Sequence, residues 1–278
     1  MGCAPTTPVI RLATGSKYRA DDPHKAALGA RAERREDVMA PLRADVLAIS
    51  RGAHGSADER GCAASALAAW ARAGALGDMR SEDAMLSRSR LVAELMLGAM
   101  ALDEAGSLDR GDRLAIARWG EGIARETARW FEREAGSVSR RNNHRLWAAL
   151  AVGAAGRFAE RPELMAWARA SADVGLCAVD GDGLLPLELA RGPRALRYHV
   201  YALRPLLALG RLDGGGDAPR PCPDALSRLT RAVAGMLDDP APVAARAGAQ
   251  QLPPAAASAF GPALRLPEEL RGVLLAAR

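Results

Sequence analysis

The chain has 278 residues, 49% of them hydrophobic, with a formal net charge of +5 and an isoelectric point near 9.4. That length supports a substantial core, and one large helical domain over 1–278 is as consistent with it as two smaller ones. No run of about 18 apolar residues exists to span a membrane, and Cys3, Cys62, Cys177 and Cys222 lack the CxxC spacing and paired histidines of a zinc site. The positive charge is almost all arginine, which suits planar recognition of carboxylate or phosphate and equally suits a solvated surface. Without a nucleic-acid motif or interleaved aromatic and basic residues, a nucleic-acid partner is disfavoured.

The apolar residues are mostly Ala and Leu, with few aromatic or β-branched runs, so helices are expected and strands find little support. In chain order, a helix is predicted over 31–50 with a kink or break at Pro41, followed by a turn from Gly52 to Asp58. Next come helices over Cys62–Ala75, with Leu67, Trp70 and Ala71 on one face, and over Ala84–Leu102. Asp112–Glu134 forms a long helix striped by Leu114, Trp119, Ile123, Trp130 and Phe131. Further helices are predicted at 143–156, 162–177, 194–210, 224–237 and 264–277. Gly210–Pro223 reads as a loop, and Asp239–Pro262 is the least ordered-looking stretch. The pattern implies an all-α assembly of antiparallel helix pairs. One disulfide, Cys3 to Cys62, is compatible with an exported protein. Met1–Thr6 has no apolar signal-peptide core, and its fit to a myristoylation pattern carries no weight.

Rare residue types are concentrated in two segments. Of three tyrosines and four histidines, two of each lie in Arg140–Trp147 and Arg194–Tyr201; the third tyrosine follows Ser16-Lys17. On a helix, Arg194 and Tyr201 are two turns apart on one face, with Arg197 and Tyr198 near its edges. A guanidinium beside a phenol favours the phenolate and draws its pKa down from about 10. The alternative is a core tyrosine with a convenient hydrogen-bond partner. Asn143, His144 and Trp147 together offer amide, imidazole and a flat indole face able to stack on a sugar ring. Equally, Asn142 or Asn143 caps the helix that follows.

Taken jointly, these segments resemble the mannuronate-type alginate lyases. Asn142-Asn143-His144-Arg145-Leu146-Trp147 is similar to that family's NNHxxW motif, and Arg194-Ala195-Leu196-Arg197-Tyr198-His199-Val200-Tyr201-Ala202-Leu203 to its RALxYHxYAL motif. Ser16-Lys17-Tyr18 followed by Asp21 or Asp22 resembles SKYxxxD. Weaker likenesses lie at Cys62–Leu76, at the DGxLPxEL-like turn Asp180–Leu189 and at Ala225–Pro240, so the resemblance spans about 16–250 in order.

The resemblance implies an incomplete (α/α) toroid with a central cleft and cleavage of a polyuronate by β-elimination, with no metal or organic cofactor, in a monomer exported to the periplasm or secreted. Carried over onto matching positions, Asn143 and Arg194 neutralise the substrate carboxylate, while His144 and Tyr201 handle protons. Lys17, Tyr18, Trp147, Arg197 and Tyr198 contact substrate. The partner implied is an anionic polysaccharide, attracted over distance by the arginine-rich surface; no nucleic acid or membrane is involved. Departures bear on specificity. Gly77–Asp83 stands where many relatives carry a lid rich in Tyr, Asn, His, Gly and Lys, Arg191-Gly192-Pro193 replaces a basic stretch, Arg204 replaces a proline, and the region from about 252 lacks the expected aromatics. Polyglucuronate or a hyaluronan-like chain is therefore an alternative substrate, and a polyuronate-binding protein without turnover the alternative of another class.

Overall fold

The computed structural model describes Cys3 and residues 6–214 and 221–267. Among them are ten α-helices and a single pair of two-residue strands, β1 (Arg11–Leu12) and β2 (Asp78–Met79), which run parallel. The all-α expectation holds, and the helices form the (α/α) toroid.

The first helix, α1 (Ala32–Gly52), runs through Pro41 without the expected break, since one proline removes one N–H and leaves the turns on either side bonded. α2 (Ala57–Arg72) begins five residues before its expected start at Cys62, because Ser56 and Glu59 form a reciprocal capping box: the Ser56 backbone N–H donates to Glu59 Oε2 at 2.7 Å. α3 (Glu82–Glu104) and α4 (Arg110–Arg133) are capped by Ser81 and Asp109. In α4 the buried stripe is Ile116, Trp119, Ile123, Thr127 and Phe131. Leu114 is 47% exposed and does not belong to it, because two residues before Ile116 is the opposite side of a 3.6-residue turn.

α5 (Asn143–Phe158) is the hub. Every residue in it except His144, Arg145 and Arg157 is buried, and it packs against α3, α4, α6 (Pro162–Leu176) and α8 (Ala195–Leu212). A helix buried all round needs small residues where neighbours approach. A Cβ on Gly156 would lie 2.7 Å from Leu164 Cβ and 3.2 Å from the Arg161 carbonyl, so α6 sits directly on that glycine. The three-residue link between α5 and α6 makes them an antiparallel pair.

Between α6 and α8 the chain makes the one-turn α7 (Pro186–Leu189). His199 joins α7 to α8: fully buried, it donates from Nδ1 to the Ala195 carbonyl at 2.8 Å and accepts the Leu185 N–H at Nε2, 2.9 Å away. α9 (Ala225–Asp238) follows, and α10 (Ala241–Ala247) with two 3-10 turns occupies the stretch that composition marks as least ordered. Of the helix predicted at 264–277, residues 265–267 are not helical and 268–278 lie outside the described residues. The predicted loop at 210–223 starts later than expected, α8 continuing to Leu212, and 215–220 fall outside the described residues. Two disulfides close the fold: the anticipated Cys3–Cys62 and a second, Cys177–Cys222, joining the end of α6 to the approach to α9.

Two outcomes follow from this packing. Gly156→Ala should destabilise the protein by about 1–3 kcal/mol, because the obstructing atoms are a Cβ and a backbone carbonyl rather than a flexible chain end; a denaturant midpoint equal to wild type would contradict it. Burial pushes the His199 pKa down. The unfolded chain, with an imidazole pKa of about 6.5, therefore binds more protons in acid than the folded one. The stability this neutral histidine contributes is complete above that pH and declines below it, by at most about 1.4 kcal/mol per pH unit. His199→Gln should lower stability at pH 7 by about 1–3 kcal/mol and flatten the decline between pH 6.5 and 4.5, measured by urea unfolding; an unchanged slope would refute the assignment.

Candidate active site

Four parts of the chain meet at the site: the segment 15–29, α1, the N-terminus of α5, and the α7–α8 region. The first is shaped by Asp22, whose carboxylate accepts the N–H groups of His24 (3.0 Å), Ala26 (2.6 Å) and Ala27 (2.8 Å), which holds its pKa below the usual carboxylate range. Of the two candidate aspartates after Lys17-Tyr18, Asp22 is thus the structural one, and Asp21 pairs with Arg19 at the surface. The segment folds back so that Tyr18 and Leu28 bridge and the Gly29 N–H donates to the Lys17 carbonyl at 2.9 Å. A Cβ at Gly29 would come within 3.0 Å of the Tyr18 backbone. This turn presents the Ala26 carbonyl to Arg194 Nε, 2.7 Å away.

Tyr18 and Tyr198 meet hydroxyl to hydroxyl across the site. Lys17 Nζ lies 5.3 Å from the Tyr18 ring centroid, and the Arg194 guanidinium 5.9 Å from it. Burial, then the charges of Arg35, Arg194 and Arg197, lower the Lys17 pKa to about 8. Half-buried Arg197 donates from Nε to the Pro253 carbonyl at 3.0 Å, so it borders the cluster from outside.

α5 enters the site at its N-terminus. Asn142 is the cap, its Oδ1 accepting the His144 N–H at 2.9 Å. Asn143 is fully buried, with both its backbone N–H (2.8 Å) and its Nδ2 (2.9 Å) donating to Glu188 Oε1. His144 is half-buried, and its ring makes no hydrogen bond to the described residues; burial and the charges of Arg191, Lys17 and Arg35 drive its pKa down to about 3, so it is neutral. Arg191, itself buried, lies 4.3 Å over the Tyr198 ring.

Tyr201, half-buried, lies against Trp147 (centroids 4.9 Å apart), Tyr198 (6.1 Å) and Phe260 (6.3 Å). Two expectations are corrected here. Arg194 is not the guanidinium that acts on Tyr201; Arg194 ends a 3-10 turn and faces Tyr18, while Arg90 from α3 is the main charge lowering the Tyr201 pKa. Burial outweighs that charge and pushes the phenol up to about 12. Trp147 is only 1% exposed, stacked on Phe260 and packed on Tyr201, so it has no open face for a sugar ring. It supports Tyr201 instead.

The C-terminal region retains one aromatic that composition obscured. Phe260 lies under two guanidinium groups, Arg204 at 4.0 Å and Arg90 at 4.3 Å from its centroid. Arg204 donates to the Leu264 carbonyl at 2.8 Å, and burial beside Arg90 lowers its pKa to about 10. Glu94 accepts the Gly261 N–H at 2.9 Å and pairs with Arg90, closing this floor beneath Tyr201. Arg35, Arg90 and Phe260 have no sequence signature as site residues, and Arg191 and Glu188 stand out only as members of the Arg191-Gly192-Pro193 and Asp180–Leu189 segments. A cavity of about 590 Å³ lies elsewhere, beside Trp130, and one of about 230 Å³ between α1 and α3 is lined in part by Arg90 and Glu94 of this floor; none of the site residues predicted from sequence lines either.

A model of the alginate lyase family matches residues 77–218. A polysaccharide lyase of Stenotrophomonas maltophilia is 34% identical over 232 residues, covering 80% of this chain and 69% of its own. Alginate lyases of Pseudomonas fluorescens and Azotobacter vinelandii are 32% and 31% identical, covering 85% and 89% of this chain and 67% and 71% of theirs. Among solved structures, alginate lyase A1-III from Sphingomonas species A1 superposes with a TM-score of 0.73 at 19% identity, over 90% of this chain and 72% of that one. A family match across half of the chain, together with relatives above 30% identity aligned over two thirds of their length, places this chain in the alginate lyase family, as a polysaccharide lyase.

Proposed function

We propose that this protein cleaves mannuronate-rich alginate by β-elimination, as a single helical domain acting as a monomer in the periplasm. The reading is supported by the cations set around His144 and Tyr201: Arg35 acts on both, Lys17 and Arg191 on His144 and Arg90 on Tyr201, and Arg191 lies 4.3 Å over the ring of Tyr198, itself 6.1 Å from that of Tyr201. Such a field suits a polyanion. The C5 proton of a uronate is too weakly acidic to remove while its carboxylate keeps full charge, so donors must stabilise the enolate dianion that develops. Arg194, Lys17 and the Asn143 amide supply them.

The substrate-free protonation states are a neutral imidazole at His144 and a protonated phenol at Tyr201. They suit His144 as acceptor of the C5 proton and Tyr201 as donor to the departing O4 oxygen when those atoms lie on opposite faces of the sugar. In a mannuronate residue they lie on one face, so there Tyr201 performs both transfers: its own proton passes to solvent water, the phenolate takes the C5 proton, and the phenol so formed returns a proton to the departing O4. Because Asn143 is fully buried, substrate contact with its amide requires the covering side chains to move aside. Two disulfides suit an oxidising compartment, and no described helix is long and apolar enough to cross a membrane.

Ultraviolet absorbance of the unsaturated product, followed on polymannuronate, polyguluronate and polyglucuronate, tests the reaction and its substrate. The largest rise is expected on polymannuronate, and no rise on any of the three would refute the proposal. Tyr201→Phe should lose at least about a thousandfold in kcat while still binding polymannuronate. Lys17 loses its proton as pH rises through about 8, so kcat/KM, which reports the free enzyme, should fall above that pH. Lys17→Arg, permanently charged, should remove this alkaline limb; a limb that persists would exclude Lys17 as its source.

A further inference from the structure

Glu188 is 1% exposed and stands between two members of the site. Its Oε1 accepts both hydrogen bonds from Asn143, and its Oε2 faces Arg191 Nε at 3.4 Å. A buried carboxylate is costly unless it is well partnered. Capping α5 accounts for its bond from the Asn143 backbone N–H but not for its bond from the Asn143 side chain.

What a carboxylate does that no neutral side chain does here is accept without donating. An asparagine amide can turn end over end and present either its NH2 or its carbonyl. Opposite Glu188 only the NH2 end is favourable, and the Asn143 side-chain carbonyl is left buried without a partner among the described residues, an arrangement that costs energy unless something else enforces it. We propose that Glu188 is a positioning residue for the lyase reaction: it locks the Asn143 amide with its NH2 end fixed beside His144, so that a donor rather than an acceptor meets the charge developing on the substrate carboxylate. This rests on the lyase reading above.

Glu188→Gln tests it almost isosterically. A glutamine can donate to the orphaned Asn143 carbonyl, so both amide orientations become available. The variant should unfold within a few degrees of wild type and lose at least about tenfold in kcat on polymannuronate, with KM within about threefold. Introduced into Asn143→Ala, the same substitution should cost less than about twofold, because the group it positions is gone. Undiminished kcat in Glu188→Gln, or an equal loss in both backgrounds, would overturn the proposal; the latter is the pattern of a purely structural carboxylate or of one acting through Arg191. Independently of turnover, the Asn143 side-chain amide resonances, identified by their absence in Asn143→Ala, should show slowed hydrogen exchange that Glu188→Gln abolishes, and unchanged exchange would also overturn it. Wild-type inactivity on all three polyuronates would overturn the lyase reading and this inference together, whereas an active wild type with an equally active Glu188→Gln overturns this inference alone.

Discussion

The complete burial of α5 is the constraint on which the rest of the molecule depends. A helix surrounded by α3, α4, α6 and α8 can carry polar side chains only at its ends, and its sequence obeys this: Asn142, Asn143, His144 and Arg145 at the start, Arg157 at the finish, and between them Ala, Leu, Val, Gly and Trp147. The unpaired N–H groups of its first turn need acceptors that water cannot supply inside a toroid. Asn142 provides one and Glu188 another. The same requirement that ends the helix therefore brings the α7 carboxylate, and with it Arg191, to the place where His144 emerges.

Around that point the chain gathers more cations than the acids beside them, Glu188 and Glu36. Lys17, Arg35, Arg191, Arg194 and Arg197 all bear on the site, and each cation lowers the pKa of the titratable bases among them. They are held by backbone, hydroxyl and stacking contacts, Arg194 on the Ala26 carbonyl, Arg191 on the Tyr198 ring and Arg35 on Ser87, with Glu188 pairing Arg191. This excess of cations is complementary to an anionic polysaccharide.

Much of this was legible in the sequence for a simple reason. Tyrosine, histidine and lysine are scarce here, Lys17 and Lys25 being the only lysines among 38 basic residues, so their clustering in intact motifs stands out. Most helices were legible from the spacing of Leu and Trp. What stayed hidden was hidden by abundance: one arginine looks like another among so many, and neither Arg35 nor Arg90 has a local signature that tells a site cation from a surface one. Phe260 was lost in a Pro- and Ala-rich stretch whose composition argues against order, although tertiary contact with Trp147, Arg90 and Arg204 fixes it. The pairing of Arg194 with Tyr201 failed for a geometric reason. Seven residues make two turns only if both ends are α-helical, and Arg194 belongs to the preceding 3-10 turn.

The short Gly77–Asp83 segment acquires a role from the structure that differs from that of the lid it replaces. Asp78 and Met79 pair with Arg11 and Leu12, Asp78 takes ion pairs from Arg11 and Arg80, and the Arg80 N–H donates to the Leu12 carbonyl at 2.9 Å. The segment is thus an anchor for the chain that leads, within six residues of Leu12, to Lys17 and Tyr18. Cys3–Cys62 fastens the same stretch to α2 from its other side. The part of the molecule that covers the site is then the 15–29 turn itself, touching α8 through the Tyr18 and Tyr198 hydroxyls. Lys17 precedes Tyr18 in that turn, so the hydroxyl contact and the Ala26 carbonyl on Arg194 fix where this cation of the site stands.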